Sequence, residues 1–271
     1  MDCLCYHCDN RRTKNILKTY VRSFNEILFM TTESQPRHKN YYENKAWAQG
    51  LYTCGIDEVG RGCLAGPVVV AAVIIPQNCS YYLLKDSKIM DEAERDKAYK
   101  WIIKHCFYSV AISSNNVIDK INIYQATLLT MKKAYMQLVE TMPYDHEQLK
   151  YVLIDAMPLI VSKSYTHKNL EFRHFNYGES RSISIAAASI IAKVTRDKLM
   201  KSMSTLFPAL LINQHKGYGT KQHIALIESL GPTIVHRSSF IGKILSKTKE
   251  SQAENKENKE NKENYEQQKL F

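Results

Sequence analysis

The acidic residues of this 271-residue chain fall where they could do chemistry. An apolar run from Leu51 to Ile56 ends in Asp57-Glu58-Val59-Gly60-Arg61-Gly62, and a shorter one, Tyr151 to Ile154, ends in Asp155. Glu179 follows Gly178 just ahead of an alanine-rich stretch, and Asp197 lies inside that stretch beside Arg196. Hydrolysing a phosphodiester at neutral pH requires an activated water and neutralisation of a developing oxyanion. Two hard divalent ions about 4 Å apart supply both, and three or four carboxylates offset their charge. Asp57, Glu58, Asp155 and Glu179 are the candidates for that work. Asp197 is open to two readings, a ligand or a member of a helix-surface ion pair. Successive strand residues face opposite ways, so Asp57 and Glu58 share a site only if the chain turns there. Gly60 and Gly62 provide a turn and let backbone N–H groups come close to a ligand. The plainer reading of the segment is an acidic turn capped by glycines.

These residues need strands and helices to hold them, and the body of the chain, about residues 50 to 243, reads as α/β. Leu51 to Ile56 is a predicted strand, and Val68 to Ile75 is a continuous apolar run rich in β-branched residues, as a buried strand requires. A helix is predicted over Asp91 to Cys106, its acidic start suiting the positive end of the dipole. Phe107 to Ser113 returns to strand, and Ile123 to Glu140 has helical spacing of Leu128, Met131, Tyr135 and Leu138. Tyr151 to Ile154 and Leu170 to Phe175 are short strands. A long helix follows from Ser184 to about Met203, with Ser180 and Ser182 available as caps. Its Ala186, Ala187, Ala188 and Ala192 let it lie close against a sheet. The last predicted helix, Lys221 to Leu230, stops at Gly231-Pro232. In an α/β protein, reactive groups collect where strands end and loops begin, which is where the carboxylates stand.

Composition narrows the partners. The chain is 44% hydrophobic and 24% charged, enough to bury a core. No apolar run reaches the roughly 18 residues of a membrane span, and no basic-then-apolar leader opens the sequence, so a cytoplasmic location is expected. The net charge is +10, and residues 246–271 contribute six Lys and six Glu, so the excess lies on the rest of the chain. A basic body suits a polyanionic partner, above all nucleic acid. Three divisions follow: an irregular extension at 1–48, a catalytic body at 49–245, and a low-complexity linker at 246–271 with the triplet Asn-Lys-Glu three times in succession. Cys3, Cys5, His7 and Cys8 read either as a zinc knuckle or as thiols in a flexible extension; four ligands within six residues leave little room for a tetrahedral loop.

Taken together, the motifs resemble the ribonuclease HII family of bacteria. The residues that carry the likeness are Gly55-Ile56-Asp57-Glu58-Val59-Gly60-Arg61-Gly62, then Leu64-Ala65-Gly66-Pro67, Asp86-Ser87-Lys88 and Asp155-Ala156. The Ala-rich segment Ile185 to Asp197 follows, then His215-Lys216-Gly217-Tyr218-Gly219-Thr220 and His236-Arg237-Ser238-Ser239-Phe240. They occur in order across about residues 50 to 240. The resemblance implies an RNase H-like fold, a mixed β-sheet flanked by helices, here with a disordered C-terminal tail. It implies Mn2+ or Mg2+ held by Asp57, Glu58 and Asp155, with Glu179 as fourth carboxylate. The family has Lys-Gly-Asp at that point, so Tyr177-Gly178-Glu179 is a departure. Asp197 matches a position that is structural in the family. The implied reaction is endonucleolytic cleavage of the RNA strand of RNA–DNA hybrids and of duplex DNA on the 5′ side of an embedded ribonucleotide, leaving 3′-hydroxyl and 5′-phosphate ends. The backbone of Gly60, Arg61 and Gly62 would read the 2′-hydroxyl. Tyr218 would stack on the neighbouring deoxyribose, or else is a half-buried core tyrosine. Lys88, Lys193, His215 and Lys216 are candidate phosphate contacts, with a solvated basic face as the alternative.

The related ribonuclease HIII group carries Lys where Arg61 stands and adds a substantial N-terminal domain. Two other classes fit less of the sequence: a hybrid-binding protein without metals, and a DNA-strand nuclease of the same fold. The final residues, Gln267-Gln268-Lys269-Leu270-Phe271, resemble the Gln-x-x-Leu-Phe peptides that bacterial repair proteins insert into the sliding clamp. Gln267, Leu270 and Phe271 are the expected contacts, on a flexible tether that raises local concentration. Nothing in the sequence demands more than a monomer.

Overall fold

Five strands form one sheet in the computed structural model, which describes residues 39–246 apart from 78, 80, 86 and 243. The strands are β1 (Tyr52–Val59), β2 (Val68–Ile74), β3 (Phe107–Ser113), β4 (Leu149–Asp155) and β5 (Glu171–Phe175), in the spatial order β3-β2-β1-β4-β5. β2 pairs antiparallel with both β1 and β3, whereas β1, β4 and β5 run parallel. The sheet is therefore mixed, and the C-terminal ends of β1, β4 and β5 share one edge. β2 is buried along its whole length, which is what its unbroken Val/Ala/Ile run requires.

Helices cover both faces. One face carries Cys54, Ile56, Val70 and Ala72 against Met131, Ala134, Tyr135 and Leu138 of a helix at Ile123–Thr141. The other carries Val69, Ala71 and Val73 against a helix at Glu92–His105 and the Ala-rich helix at Ile183–Leu206. In chain order the helices are α1 (Tyr41–Trp47), α2 (Glu92–His105), α3 (Asn115–Ile121), α4 (Ile123–Thr141), α5 (Gly178–Arg181), α6 (Ile183–Leu206), α7 (Ile212–His215) and α8 (Lys221–Leu230). Asp91 opens α2 with a full capping box to Glu94, and the Ser182 hydroxyl accepts from the Ile185 N–H at the start of α6. Ala186, Ala187 and Ala188 are fully buried, and a Cβ added at Gly55 of β1 would lie 2.1 Å from the backbone of Ser184. Small residues on both elements thus let α6 press onto the sheet.

Two expectations need correction. Residues 41–47, assigned from the sequence to an irregular extension, form α1, docked on the sheet. Its Tyr42 ring lies 5.0 Å from Tyr151 and 5.5 Å from Phe175. Glu43 is buried and accepts hydrogen bonds from the Ser182 hydroxyl and the Ser184 N–H, while Asn40 Oδ1 accepts from Ile183 N–H at 3.0 Å. The start of α6 is capped by this segment. The second correction concerns the end of β1. The chain does not turn at Asp57-Glu58; β1 continues through Val59 with Asp57 paired to Ala71, Glu58 to Val70 and Val59 to Val69. Among the described residues, no helix is long and apolar enough to cross a membrane.

Candidate functional site

The three parallel strands deliver the acids to one edge of the sheet. Ile56 of β1 pairs with Ile154 of β4, so Asp57 and Asp155 are the next residues on adjacent strands. Asp155 pairs in turn with Phe175 of β5, and Glu179 follows in α5, four residues on. Asp57 is only 4% exposed, and its Oδ1 accepts the Glu58 N–H at 2.7 Å. Burial pushes its carboxyl well above the usual range, and the charges of Glu58, Asp155 and Glu179 push it further, against a lowering hydrogen bond from Ser189. Glu58 is raised chiefly by burial, with Arg61 opposing; Arg61 Nη1 stands 3.2 Å from its Oε1. Asp155 Oδ1 accepts the Gly178 N–H at 2.8 Å. Glu179 accepts from the Ser189 hydroxyl, lies 3.6 Å from Lys88 Nζ, and Ser189 is 2.7 Å from Ser87.

Four carboxylates in one another's field, each tethered to a different partner, make a site that a cation would complete. Among the described residues, no three Asp, Glu, His or Cys side chains converge into a ready ion-holding cluster. Arg61, the Gly178 N–H and Ser189 draw Glu58, Asp155 and Glu179 toward separate neighbours. The donor set is hard oxygen throughout, as Mg2+ and Mn2+ require. Glu58 Oε2 is buried with no hydrogen-bond partner, and the repulsion that lifts Asp57 is what a divalent ion would relieve. The residues fit such ions.

Beyond β1 the chain turns at Gly60 (φ +93), and two buried arginines fix the turn. Arg237 donates from Nε to Gly66 O, from Nη1 to Arg61 O and from Nη2 to Gly60 O, at 3.0, 2.8 and 2.7 Å. Arg196 of α6 donates to the carbonyls of Pro67, Lys216 and Ala65 at 3.0, 2.8 and 3.1 Å. Burial pushes the Arg237 guanidinium down to about 10, still charged at neutral pH. Between them they tie back six carbonyls of the loops around Gly60–Pro67 and Lys216. Sequence reasoning placed both arginines in motifs but gave neither a task, because carbonyl acceptors carry no sequence mark.

Tyr218 sits beside this turn, with a β-bridge to Cys63 and just over a third of its surface exposed. Its ring has Lys193 Nζ 5.7 Å and Arg196 Cζ 5.6 Å from the centroid. Lys193 also pairs with Asp197 at 2.9 Å, so Asp197 takes the ion-pair reading open to it. His215 is not a phosphate contact: it is buried, its Nδ1 accepting from Gly217 N–H and its Nε2 bonded to Leu210 O. It stacks at 3.9 Å on His223, whose Nδ1 meets Tyr218 O and whose Nε2 lies 3.1 Å from His236 Nε2. Thr233 N–H donates to His236 Nδ1, so one set of neutral tautomers satisfies the cluster. Lys88 is exposed, and Lys216 Nζ reaches Asn213 O. The structure therefore sets Asp57, Glu58, Asp155 and Glu179 within electrostatic reach of one another, although β1 stays extended and, among the described residues, their side chains do not converge. Lys88 lies beside Glu179, and Lys193 beside Tyr218. Asp86, Cys3, Cys5, His7, Cys8, Gln267, Leu270 and Phe271 lie outside the described residues.

Comparison with known proteins accords with this geometry. A profile of the family described as Ribonuclease HII matches residues 54–243. Ribonuclease HII of Listeria monocytogenes serotype 4a (strain HCC23) is 41% identical over 242 residues, 87% of this chain and 85% of that protein. Bst-RNase HIII in complex with Mn2+ aligns with a TM-score of 0.57 at 19% identity, over 86% of this chain and 81% of that one. The PCNA:RNase HII complex from Archaeoglobus fulgidus aligns with a TM-score of 0.53 at 23% identity, over 69% of this chain and 94% of that one. The two structures share the fold with this chain.

Proposed function

The chain belongs to the ribonuclease HII family, and from that premise we propose which bond it cuts and which residues do the work. It is a ribonuclease H, an endonuclease acting on the RNA strand of RNA–DNA hybrids. The finer reading is that it also cuts duplex DNA on the 5′ side of an embedded ribonucleotide, leaving a 3′-hydroxyl and a 5′-phosphate. The observation that supports it is the electrostatic coupling of four carboxylates, Asp57 raised chiefly by burial and further by Glu58, Asp155 and Glu179, beside a glycine turn whose carbonyls are tied inward.

Asp57, Glu58, Asp155 and Glu179 would hold Mn2+ or Mg2+, which when bound supply charge neutralisation and an activated water. The Mn2+ in the similar Bst-RNase HIII structure supports that choice of ion. With Gly60 and Arg61 carbonyls engaged by Arg237, the backbone N–H groups of Gly60, Arg61 and Gly62 are the groups assigned to the 2′-hydroxyl, which can accept as well as donate. Tyr218, its backbone held by His223 and its ring flanked by two cations, stacks on the adjoining deoxyribose. Lys88 and Lys193 steer phosphates toward the acids. Ser189 orients Glu179, whose extra methylene relative to Asp keeps the charge within reach.

The test is a DNA duplex containing one ribonucleotide, offered with Mg2+, Mn2+ or chelator to wild type and Asp57→Asn. A metal-dependent cut 5′ of the ribonucleotide, lost in the variant, is expected; cleavage of an all-DNA duplex would overturn the reading. We extend the proposal to a cytoplasmic monomer whose last division, 246–271, reaches a sliding clamp through Gln267, Leu270 and Phe271. The A. fulgidus protein was solved with PCNA, which supports a partner of that kind. Deleting 267–271 should abolish clamp pull-down and leave hydrolysis of a short duplex unchanged.

A further inference from the structure

We infer that Tyr177 is a second aromatic contact for the substrate strand, on the opposite side of the carboxylates from Tyr218. The inference rests on the nuclease reading above and adds a residue that the reading does not use. A cleft of about 490 Å3 contains Asp155 and Glu179, and Lys88 and Tyr177 stand in its wall. Tyr177 is 83% exposed, so its ring gains almost nothing from the protein's own packing.

Its backbone makes the exposure harder to explain as accident. Tyr177 adopts the left-handed conformation at φ 60, ψ 44, which disfavours a bulky side chain and suits Gly or Asn. The conformation is pinned on both sides: the Ser180 N–H and hydroxyl both donate to Tyr177 O, and the next N–H, that of Gly178, donates to Asp155. Ala156, beside Asp155 and in the same cleft wall, is also left-handed at φ 55. Two strained non-glycine residues flanking two acids in one cleft are the pattern of a site that holds side chains for a ligand.

Helix α6 supplies a ruler. A Cβ at Gly178 would meet Ile185, Glu179 bonds Ser189, and the Tyr218 ring lies by Lys193 and Arg196. Gly178, Glu179 and Tyr218 thus follow one another along the helix, with Tyr177 next in sequence to Gly178. From Ile185 to the 193–196 turn is roughly 12 to 16 Å at about 1.5 Å per residue. A nucleic-acid strand advances about 3.4 Å per nucleotide, so the tyrosines are about four nucleotides apart. An exposed ring beside Lys88 offers what a strand needs there, a stacking face and a cation, without regard to sequence. With the cut 5′ of the ribonucleotide and Tyr218 assigned to the deoxyribose that follows it, Tyr177 meets the 5′ side.

The test uses the full-length protein and a single-ribonucleotide duplex. Stacking is worth about 1–3 kcal/mol per base, so Tyr177→Ala should raise KM about 5- to 150-fold with kcat within about twofold of wild type. Tyr177→Phe should restore KM, and Tyr177→Gly should raise KM while Tm holds or rises, because the strain is relieved. On a duplex trimmed to the 5′ side of the cut, wild type and Tyr177→Ala should converge. An unchanged KM in Tyr177→Ala, or a rise accompanied by a fall in Tm, would overturn the inference. Tyr218→Ala and an all-DNA duplex run alongside keep the two failures apart. Ribonucleotide-independent cutting, or no effect of Tyr218→Ala, brings down the nuclease reading and this inference with it. Normal behaviour there with a silent Tyr177→Ala refutes only the inference.

Discussion

Replacing Gly55 by Ala tests whether the fit of α6 on β1 sets the spacing of the acids. The added Cβ would lie 2.1 Å from Ser184 C, 2.3 Å from Ile185 N and 2.4 Å from Ser184 O, all backbone atoms that cannot swing aside. Non-bonded carbon atoms settle at about 3.5–4.0 Å, so the first turn of α6 must retreat by roughly 1.5 Å. Overpacking of this kind costs about 1–3 kcal/mol. In a domain of this size each kcal/mol lowers Tm by about 2–4 °C, giving a fall of about 2–12 °C. The consequence for catalysis is larger. Asp57 stands two residues along β1 from Gly55, whereas Ser189, which holds Glu179, rides on α6. A displacement of about 1 Å between them costs roughly a hundredfold in rate. Thermal unfolding and single-turnover cleavage, the latter well below the variant's Tm, measure the two effects separately. Gly242→Ala, where an added Cβ meets nothing within 4 Å, serves as the neutral control. Full activity in Gly55→Ala would refute the argument, because the distance between Asp57 and Glu179 would then not depend on this contact.

Asp57→Asn should abolish cleavage and raise the Tm of the metal-free protein at pH 8 more than at pH 5. A buried carboxyl raised in the native state binds its proton more tightly there than when unfolded, so its ionisation weakens the fold as pH climbs above about 4. Saturating Mg2+ should stabilise wild type at pH 8 and do little for the variant. Arg237→Met leaves the carbonyls of Gly60, Arg61 and Gly66 without their donor. A loss of about 3 kcal/mol or more is expected by chemical denaturation, with Arg237→Lys recovering only part, since one ammonium cannot span three diverging acceptors. His223 is pushed down to about 4, chiefly by burial. Its neutral form favours the fold, so its contribution is intact above about pH 6.5 and is lost as pH falls toward 4, where melting curves of wild type should drop and those of His223→Gln should be flatter. A wild-type Tm that does not change across that window would contradict the tautomer assignment around Tyr218.

Local signals account for what the sequence discloses about the fold. β3 and α8 lie at the residues expected, Phe107–Ser113 and Lys221–Leu230, because a strand's apolar content and a helix bounded by Thr220 and Gly231 are written within each segment. For β1 the sequence marks a strand over the apolar run from Leu51 to Ile56. It runs three residues further because the ladder to Ala71, Val70 and Val69 satisfies the backbone. α1 has no such signal. Seven residues with no apolar period are helical there because the Tyr42 ring packs edge-on against Tyr151 of β4 and tilted against Phe175 of β5, and Glu43 caps α6, contacts about 110 to 140 positions away in sequence.

The same distinction separates the chemistry of the site from its geometry. Asp57, Glu58, Asp155 and Glu179 are visible in sequence because a carboxylate at a strand end or beside a glycine is unusual in itself. What holds them to a working arrangement is not. Arg196 reaches Pro67 across 129 residues and Arg237 reaches Gly60 across 177, and in both cases the partner is a carbonyl, which every residue possesses. A buried guanidinium with three carbonyl acceptors is worth its desolvation only if all three are in place, so these contacts form together or not at all. The turn proposed to face the substrate is thus held by residues from the far end of the body. Transplanting Asp57–Gly62 onto another strand would carry the acids and the glycines without the six tied carbonyls. For that reason the activity belongs to the folded body, α1 to the His236-Arg237 segment, and not to the motif.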